Sequence, residues 1–142
     1  MLISGSGPQD RDQTILEHKP FRVLAHHLCS HSIAVLRHDD RGTAKSTGEF
    51  EGSTTVDLAS DTAAIVVYLK AHRRIDPNAT GLVGHSEGGL IAPMVAAQGH
   101  GVAWIVLLGA TGAPGETSYW SKRDSSARVK AGLSRTWSLR LG

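Results

Sequence analysis

Apolar residues in this chain fall into short unbroken runs separated by longer stretches with helical spacing, the pattern of strands alternating with helices. Met1 to Ser4, Ile33 to Arg37, Gly81 to Gly84 and Ala103 to Leu108 are the runs, each predicted to be a buried strand. Between them, Pro20 to Ser30 is a predicted helix with Phe21, Val23, Leu24 and Leu28 on one face. Thr54 or Thr55 caps a second helix, which runs to about His72 with Leu58, Ala59, Ile65, Val66 and Leu69 inward. Its Asp57 and Asp61 lie near the positive end of the helix dipole. Leu90, Ile91, Met94 and Val95 mark a third helix, and Asp76-Pro77 punctuates the chain before the third strand. The alternation predicts an α/β fold: a doubly wound parallel sheet of about four strands, in spatial order second, first, third, fourth. All strand carboxyl ends then share one rim, where Ser6, Asp40, Ser86 and Gly112 meet at a crevice.

The densest chemistry sits where the third strand meets the third helix, in Gly84-His-Ser-Glu-Gly-Gly89. A G-x-S-x-G between a short apolar strand and an amphipathic helix is the setting of a nucleophile elbow. Glycine at 84 and 88 leaves room for the turn, because a Cβ at either place would collide with backbone as strand and helix pass. Ser86 then projects its hydroxyl beside the helix amino terminus, where the dipole and the N–H of Glu87 favour a developing oxyanion. His85 precedes it in the elbow, where adjacent side chains diverge, and so is not read as its base. The competing reading is a glycine-rich turn whose serine merely caps the helix.

Two further loops belong to the same rim. Gly5-Ser-Gly-Pro8 follows the first strand, and its glycines let backbone N–H groups face a ligand. No G-K-[ST] follows, and Arg11 and Asp12 stand where a dinucleotide fingerprint needs glycine, so a phosphate cradle is disfavoured. After the second strand comes His38-Asp-Asp-Arg-Gly-Thr-Ala-Lys-Ser-Thr-Gly48, read as a loop held by its own ion pairs. There Asp39, Asp40 and Arg41 hold the active-site rim and perform no chemistry themselves.

Length and composition narrow the classes. A chain of 142 residues with 40% hydrophobic and 20% charged content suits one modest globular domain with a real core. Its longest apolar runs fall far short of the about 20 residues a membrane span requires. The single Cys29 excludes an internal disulfide framework and reads as a buried structural thiol. His27 and His31 are four apart on the first helix but have no carboxylate nearby in sequence, so they read as solvent-facing and no metal site is expected. No cofactor is called for, and with no signal peptide the chain as it stands reads as cytoplasmic. The net charge of +2 is uneven: from Thr117 onward six Lys/Arg face one acid, whereas residues 1–116 hold nine against twelve. That basic tail lacks regular aromatic interleaving and a clear amphipathic stripe, so no nucleic-acid partner is expected.

Three motifs in fixed order carry a family resemblance: Ser4-Gly-Ser-Gly-Pro-Gln-Asp-Arg-Asp12, Asp39-Asp-Arg-Gly42 with Ser46-Thr-Gly48, and Gly84-His-Ser-Glu-Gly-Gly-Leu-Ile-Ala-Pro93. From Leu2 to about Gly115 the chain resembles the α/β-hydrolases, within them the bacterial esterases grouped with serine aminopeptidases and bile-acid acyltransferase-like thioesterases. The resemblance implies Ser86 as nucleophile, the amides of Ser6 and Glu87 as oxyanion hole, and a small acyl ester or thioester as substrate. It departs at Ala44, where such loops usually carry glycine. It departs also in length, since the family places its catalytic acid and histidine after later strands, and both are absent here. The strands correspond to the third to sixth of the family's larger sheet, a partial α/β-hydrolase fold with both sheet edges missing. The expected organisation is a core over 1–115 and a basic tail over 116–142, read as the start of a lid region or as frame-shifted sequence. A catalytically silent binding or scaffold module of the same fold is the alternative. His18 is the one histidine with a route to the crevice as substitute base, and His100 lies past the elbow helix at the far end of the sheet.

Overall fold

The computed structural model describes residues 1–110. Three strands form its sheet: β1 (Leu2–Ile3), β2 (Gly81–His85) and β3 (Trp104–Leu108). They are parallel and in the order β1-β2-β3, with Leu2 opposite Val83 and Leu82 opposite Ile105. The helices are α1 (Pro20–Ser30), α2 (Thr55–Lys70) and α3 (Gly88–Ala97), with a 3₁₀ turn at Pro77–Ala79 before β2.

Alternation along the strands sends side chains to two cores. Ile3 and Leu82 pack with Ala59, Ala63 and Val66 of α2 and with Ile91, Ala92 and Val95 of α3. Leu2 and Val83 point the other way, onto Phe21 and Ala25 of α1. Helices thus cover both faces, as expected of a doubly wound sheet. Gly81 has no side chain because the Trp104 indole lies across it; a Cβ there would come within 2.2 Å of the ring.

The second expected strand, Ile33 to Arg37, is not one. It runs beside the free edge of β1 and contributes a single backbone bond, Leu2 N–H to Leu36 O at 3.0 Å. Ile33 and Ala34 are exposed, and no strand lies beyond them among the described residues. One bond without a neighbour on the outer side does not sustain a ladder. Among the described residues no strand pairs with the opposite edge either, and all five residues of β3 are exposed by more than a third.

Helix α1 has its expected bounds but a different stripe. Phe21, Leu24, Ala25 and Leu28, at i, i+3, i+4 and i+7, face inward, which turns Val23 and Cys29 outward. Val23 is 70% exposed, and Cys29 is an exposed thiol, against the buried one expected. His27 and His31 are exposed. Helix α2 opens on a capping box: the Thr54 hydroxyl accepts from the Asp57 N–H, and the Asp57 carboxylate accepts from the Thr54 N–H at 2.8 Å. Among the described residues no helix is long and apolar enough to cross a membrane. The boundary at residue 115 and the basic tail lie outside the described residues.

Ala44 has φ 48°, a left-handed conformation that costs an L-residue about 1–2 kcal/mol. It is exposed, so nothing is gained from its methyl group. Ala44→Gly is therefore expected to stabilise the fold by about 0.5–1 kcal/mol, glycine's greater unfolded-state entropy offsetting part of the relief. Urea denaturation of the two proteins checks this.

Candidate active site

Strand β2 ends at His85, and Ser86, the next residue, has φ 52°. A serine held in this region marks a turn enforced by its surroundings. The enforcing contacts are backbone. A Cβ on Gly84 would lie 2.1 Å from the Gly88 carbonyl oxygen, and one on Gly88 would lie 2.4 and 2.6 Å from those of Ile3 and Ser4. Gly84 thus lets the first turn of α3 pass over β2, and Gly88 lets it pass over β1. The Ser86 N–H donates to Leu108 O at 3.0 Å, tying the turn to the end of β3.

The first loop lies flush against this turn. A Cβ built on Gly5 would be 3.1 Å from Ser86 Cβ and 3.3 Å from His85 Nδ1, so Gly5–Gly7 and Ser86 share one rim. Ser6 is exposed there, and among the described residues neither its N–H nor that of Glu87 is taken up by a hydrogen bond. The Glu87 side chain turns away, its Oε1 accepting from Thr55 Oγ1 at 2.7 Å at the start of α2. Gly112 lies outside the described residues.

Two buried aspartates fasten the first loop. Asp40 accepts from Ser4 Oγ at 3.1 Å and from the Gln9 N–H at 3.0 Å, while its own N–H donates to Gln9 O. Asp39 accepts from the Arg11 N–H at 2.8 Å and from Arg11 Nε and Nη2 at 3.0 and 2.6 Å. Arg41 places a bidentate fork on Asp61 of α2, both bonds 2.7 Å. The loop after residue 37 is thus held chiefly by partners outside itself, Arg11 and Asp61, with His38 Nδ1 3.9 Å from Asp40 Oδ1 inside it.

These environments move the two carboxyls in opposite directions. The Arg11 guanidinium and N–H groups hold Asp39 well below the usual carboxylate range, whereas burial pushes Asp40 up, against the opposing Gln9 N–H. A depressed folded pKa gives stability that is present above the unfolded value of about 3.9 and is lost as pH falls through the folded one. Asp40 has the reverse sign, destabilising as it ionises. Asp39→Asn is accordingly expected to flatten the fall in stability below about pH 4, and to destabilise the fold at pH 7 by about 1–3 kcal/mol through the weakened Arg11 contacts. Urea midpoints across pH 2–7 measure both effects.

Among the described residues no histidine, carboxylate or amine hydrogen-bonds to the Ser86 hydroxyl. His18 sits exposed in a tight turn, its backbone paired with Ile15, and among the described residues its ring makes no hydrogen bond. His100 lies past the carboxyl end of α3, its Nε2 3.2 Å from Gln98 Oε1. No group of three or more metal-ligating side chains occurs among the described residues. One contact at the site has no local sequence signal: buried Gln13 reaches His85 Nδ1 at 2.5 Å across 72 positions.

The family profile of the serine aminopeptidases, S33, matches residues 18–139, most of the chain. The chain belongs to this α/β-hydrolase family. Esterase EstD of Thermotoga maritima is 32% identical over 96 residues, which are 68% of this chain and 23% of that protein. The chain thus spans under a quarter of the length of this curated relative. Its three parallel strands, with helices on both faces, are a partial α/β-hydrolase fold.

Proposed function

We propose that this α/β-hydrolase chain is the nucleophile-bearing part of a serine hydrolase acting on carboxylic ester or thioester bonds, with Ser86 as nucleophile. The observation that carries the reading is the left-handed turn at Ser86, clasped by Gly84 and Gly88, with the unengaged N–H groups of Ser6 and Glu87 beside it. The esterase named as a relative supports the bond class.

In the reaction Ser86 Oγ attacks the acyl carbon, and the carbonyl oxygen gains negative charge that the Ser6 and Glu87 N–H groups stabilise by donating hydrogen bonds to it. The bond to the alcohol or thiol breaks, leaving an acyl-serine that water then cleaves. The serine proton must pass to a base within about 2.6–3.2 Å. Among the described residues His18 and His100 hold no such position, so with these residues alone the reaction is expected to stop at, or only creep through, the first step. The lack of a base among the described residues is also what favours the second reading, a silent binding module.

Acyl trapping separates the two. After incubation with an activated short-chain ester and with the matching thioester, intact-mass and peptide mapping should find an acyl group on Ser86 and none in Ser86→Ala. Acylation elsewhere, or none even at long times with correctly folded protein, would favour the binding module.

A further inference from the structure

We infer that Gln13 is a positioning residue, which locks the His85 ring in one orientation as a wedge between the first loop and the Ser86 turn. The inference rests on the Ser86 reading for its catalytic meaning, but its geometry stands independently.

Gln13 is 2% exposed and sits at φ 51°, a left-handed conformation glutamine seldom adopts. Its N–H donates to Asp10 O at 2.9 Å, and the bonds of Asp10 to Asp12 and Thr14 enclose it on either side. The loop thus forces this side chain inward. There Gln13 Nε2 lies 2.5 Å from His85 Nδ1, and Gln13 Oε1 is buried without a partner. The orientation follows from satisfaction. With Nε2–H donating to Nδ1, the carbonyl oxygen and one N–H are left without partners, whereas the flipped amide would leave both N–H donors unpaired. Unsatisfied carbonyls are tolerated better than unsatisfied N–H groups.

Two consequences follow. His85 Nδ1 spends its lone pair on Gln13, so its proton sits on Nε2 and the ring is not free to serve Ser86 as base. The same Nδ1 lies 3.3 Å from where a Cβ on Gly5 would be, and Ser86 Cβ lies 3.1 Å from that point. The ring therefore fills the seam between the loop that presents the Ser6 N–H and the turn that presents Ser86 and the Glu87 N–H. Holding His85 fixes the separation of those N–H groups.

The test is nitrogen NMR of the full chain, with long-range proton correlations on the His85 ring, in wild type, Gln13→Leu and Gln13→Glu. Wild type should show one tautomer near pH 7.5, with Nδ1 imine-like and Nε2 pyrrole-like. Gln13→Glu replaces the donor by an acceptor and should protonate Nδ1, and Gln13→Leu should release a tautomer mixture. Ser86 acylation should slow on the order of tenfold to a hundredfold in Gln13→Leu, the effect of a small misplacement of reacting groups. An Nδ1-protonated wild-type ring, or ring shifts unchanged in both variants, would overturn the inference. If Gln13→Leu fails to fold, the wild-type and Gln13→Glu spectra still decide it. The tautomer is read without any reaction, so a chain that never acylates refutes the Ser86 reading alone.

Discussion

Gly88→Ala is expected to destabilise the fold by about 3 kcal/mol or more, and Gly84→Ala by a similar amount. The reason is the identity of the atoms a methyl would meet. At Gly88 they are the carbonyl oxygens of Ile3 and Ser4 at 2.4 and 2.6 Å, and at Gly84 the carbonyl oxygen of Gly88 at 2.1 Å. No side-chain rotation relieves a clash with backbone, so α3 must move off β1 or β2. Overpacking usually costs about 1–3 kcal/mol where side chains can shift; a backbone obstacle puts these substitutions at or above the top of that range. Displacing α3 also uncovers Ile91, Ala92 and Val95, all nearly fully buried. Against a typical domain stability of about 5–15 kcal/mol, either change removes a large share. Gly52→Ala is the control: that glycine has φ 73° but no atom within 4 Å, so its cost is limited to conformation, about 1–2 kcal/mol. Urea midpoints for the three variants rank them, and a Gly88→Ala protein no less stable than Gly52→Ala would contradict the packing described for the elbow.

The second large effect concerns turnover. The purified chain is expected to hydrolyse an activated short-chain ester without enzymatic turnover, at no more than about 10³ to 10⁴ times the rate in water, the residue left in triad enzymes when the base is gone. Enzymes of this type ordinarily gain far more, and the shortfall is the contribution of a positioned base and its orienting acid. Whatever rate remains should fall to background in Ser86→Ala, since it requires the nucleophile. His18→Ala should leave it unchanged, because His18 is exposed on a turn held by Ile15. Robust turnover lost in both variants would make His18 a substitute base.

What the sequence carried well was local. Thr54 or Thr55 before an apolar stripe announced the start of α2; the structure selects Thr54, which closes a capping box with Asp57. Glycines flanking Ser86 announced a close passage of helix over strand, and the contacts beside Gly84 and Gly88 are backbone. Ile33 to Arg37 misled because an apolar run states what a segment can do, whereas a ladder needs neighbours, and this segment has one bonded edge. Cys29 and Val23 misled because a face chosen by hydrophobicity differs from the one the turn of the helix selects once Phe21 and Ala25 are inside. The partners of Asp39 and Arg41, and the Gln13–His85 contact, join residues 20 to 72 positions apart. Such pairings depend on how loops stack at the rim, which periodicity does not encode.

On the proposed reading, Ser86 is a nucleophile prepared by its turn, with no base beside it among the described residues. The most direct measurement is an intact-mass time course with a fluorophosphonate probe on wild type and Ser86→Ala, followed by peptide mapping of the adduct. One slowly formed adduct per chain is expected, on Ser86 and missing from the variant. An adduct that persists in Ser86→Ala, or one that maps to any other residue of the wild-type chain, would contradict it.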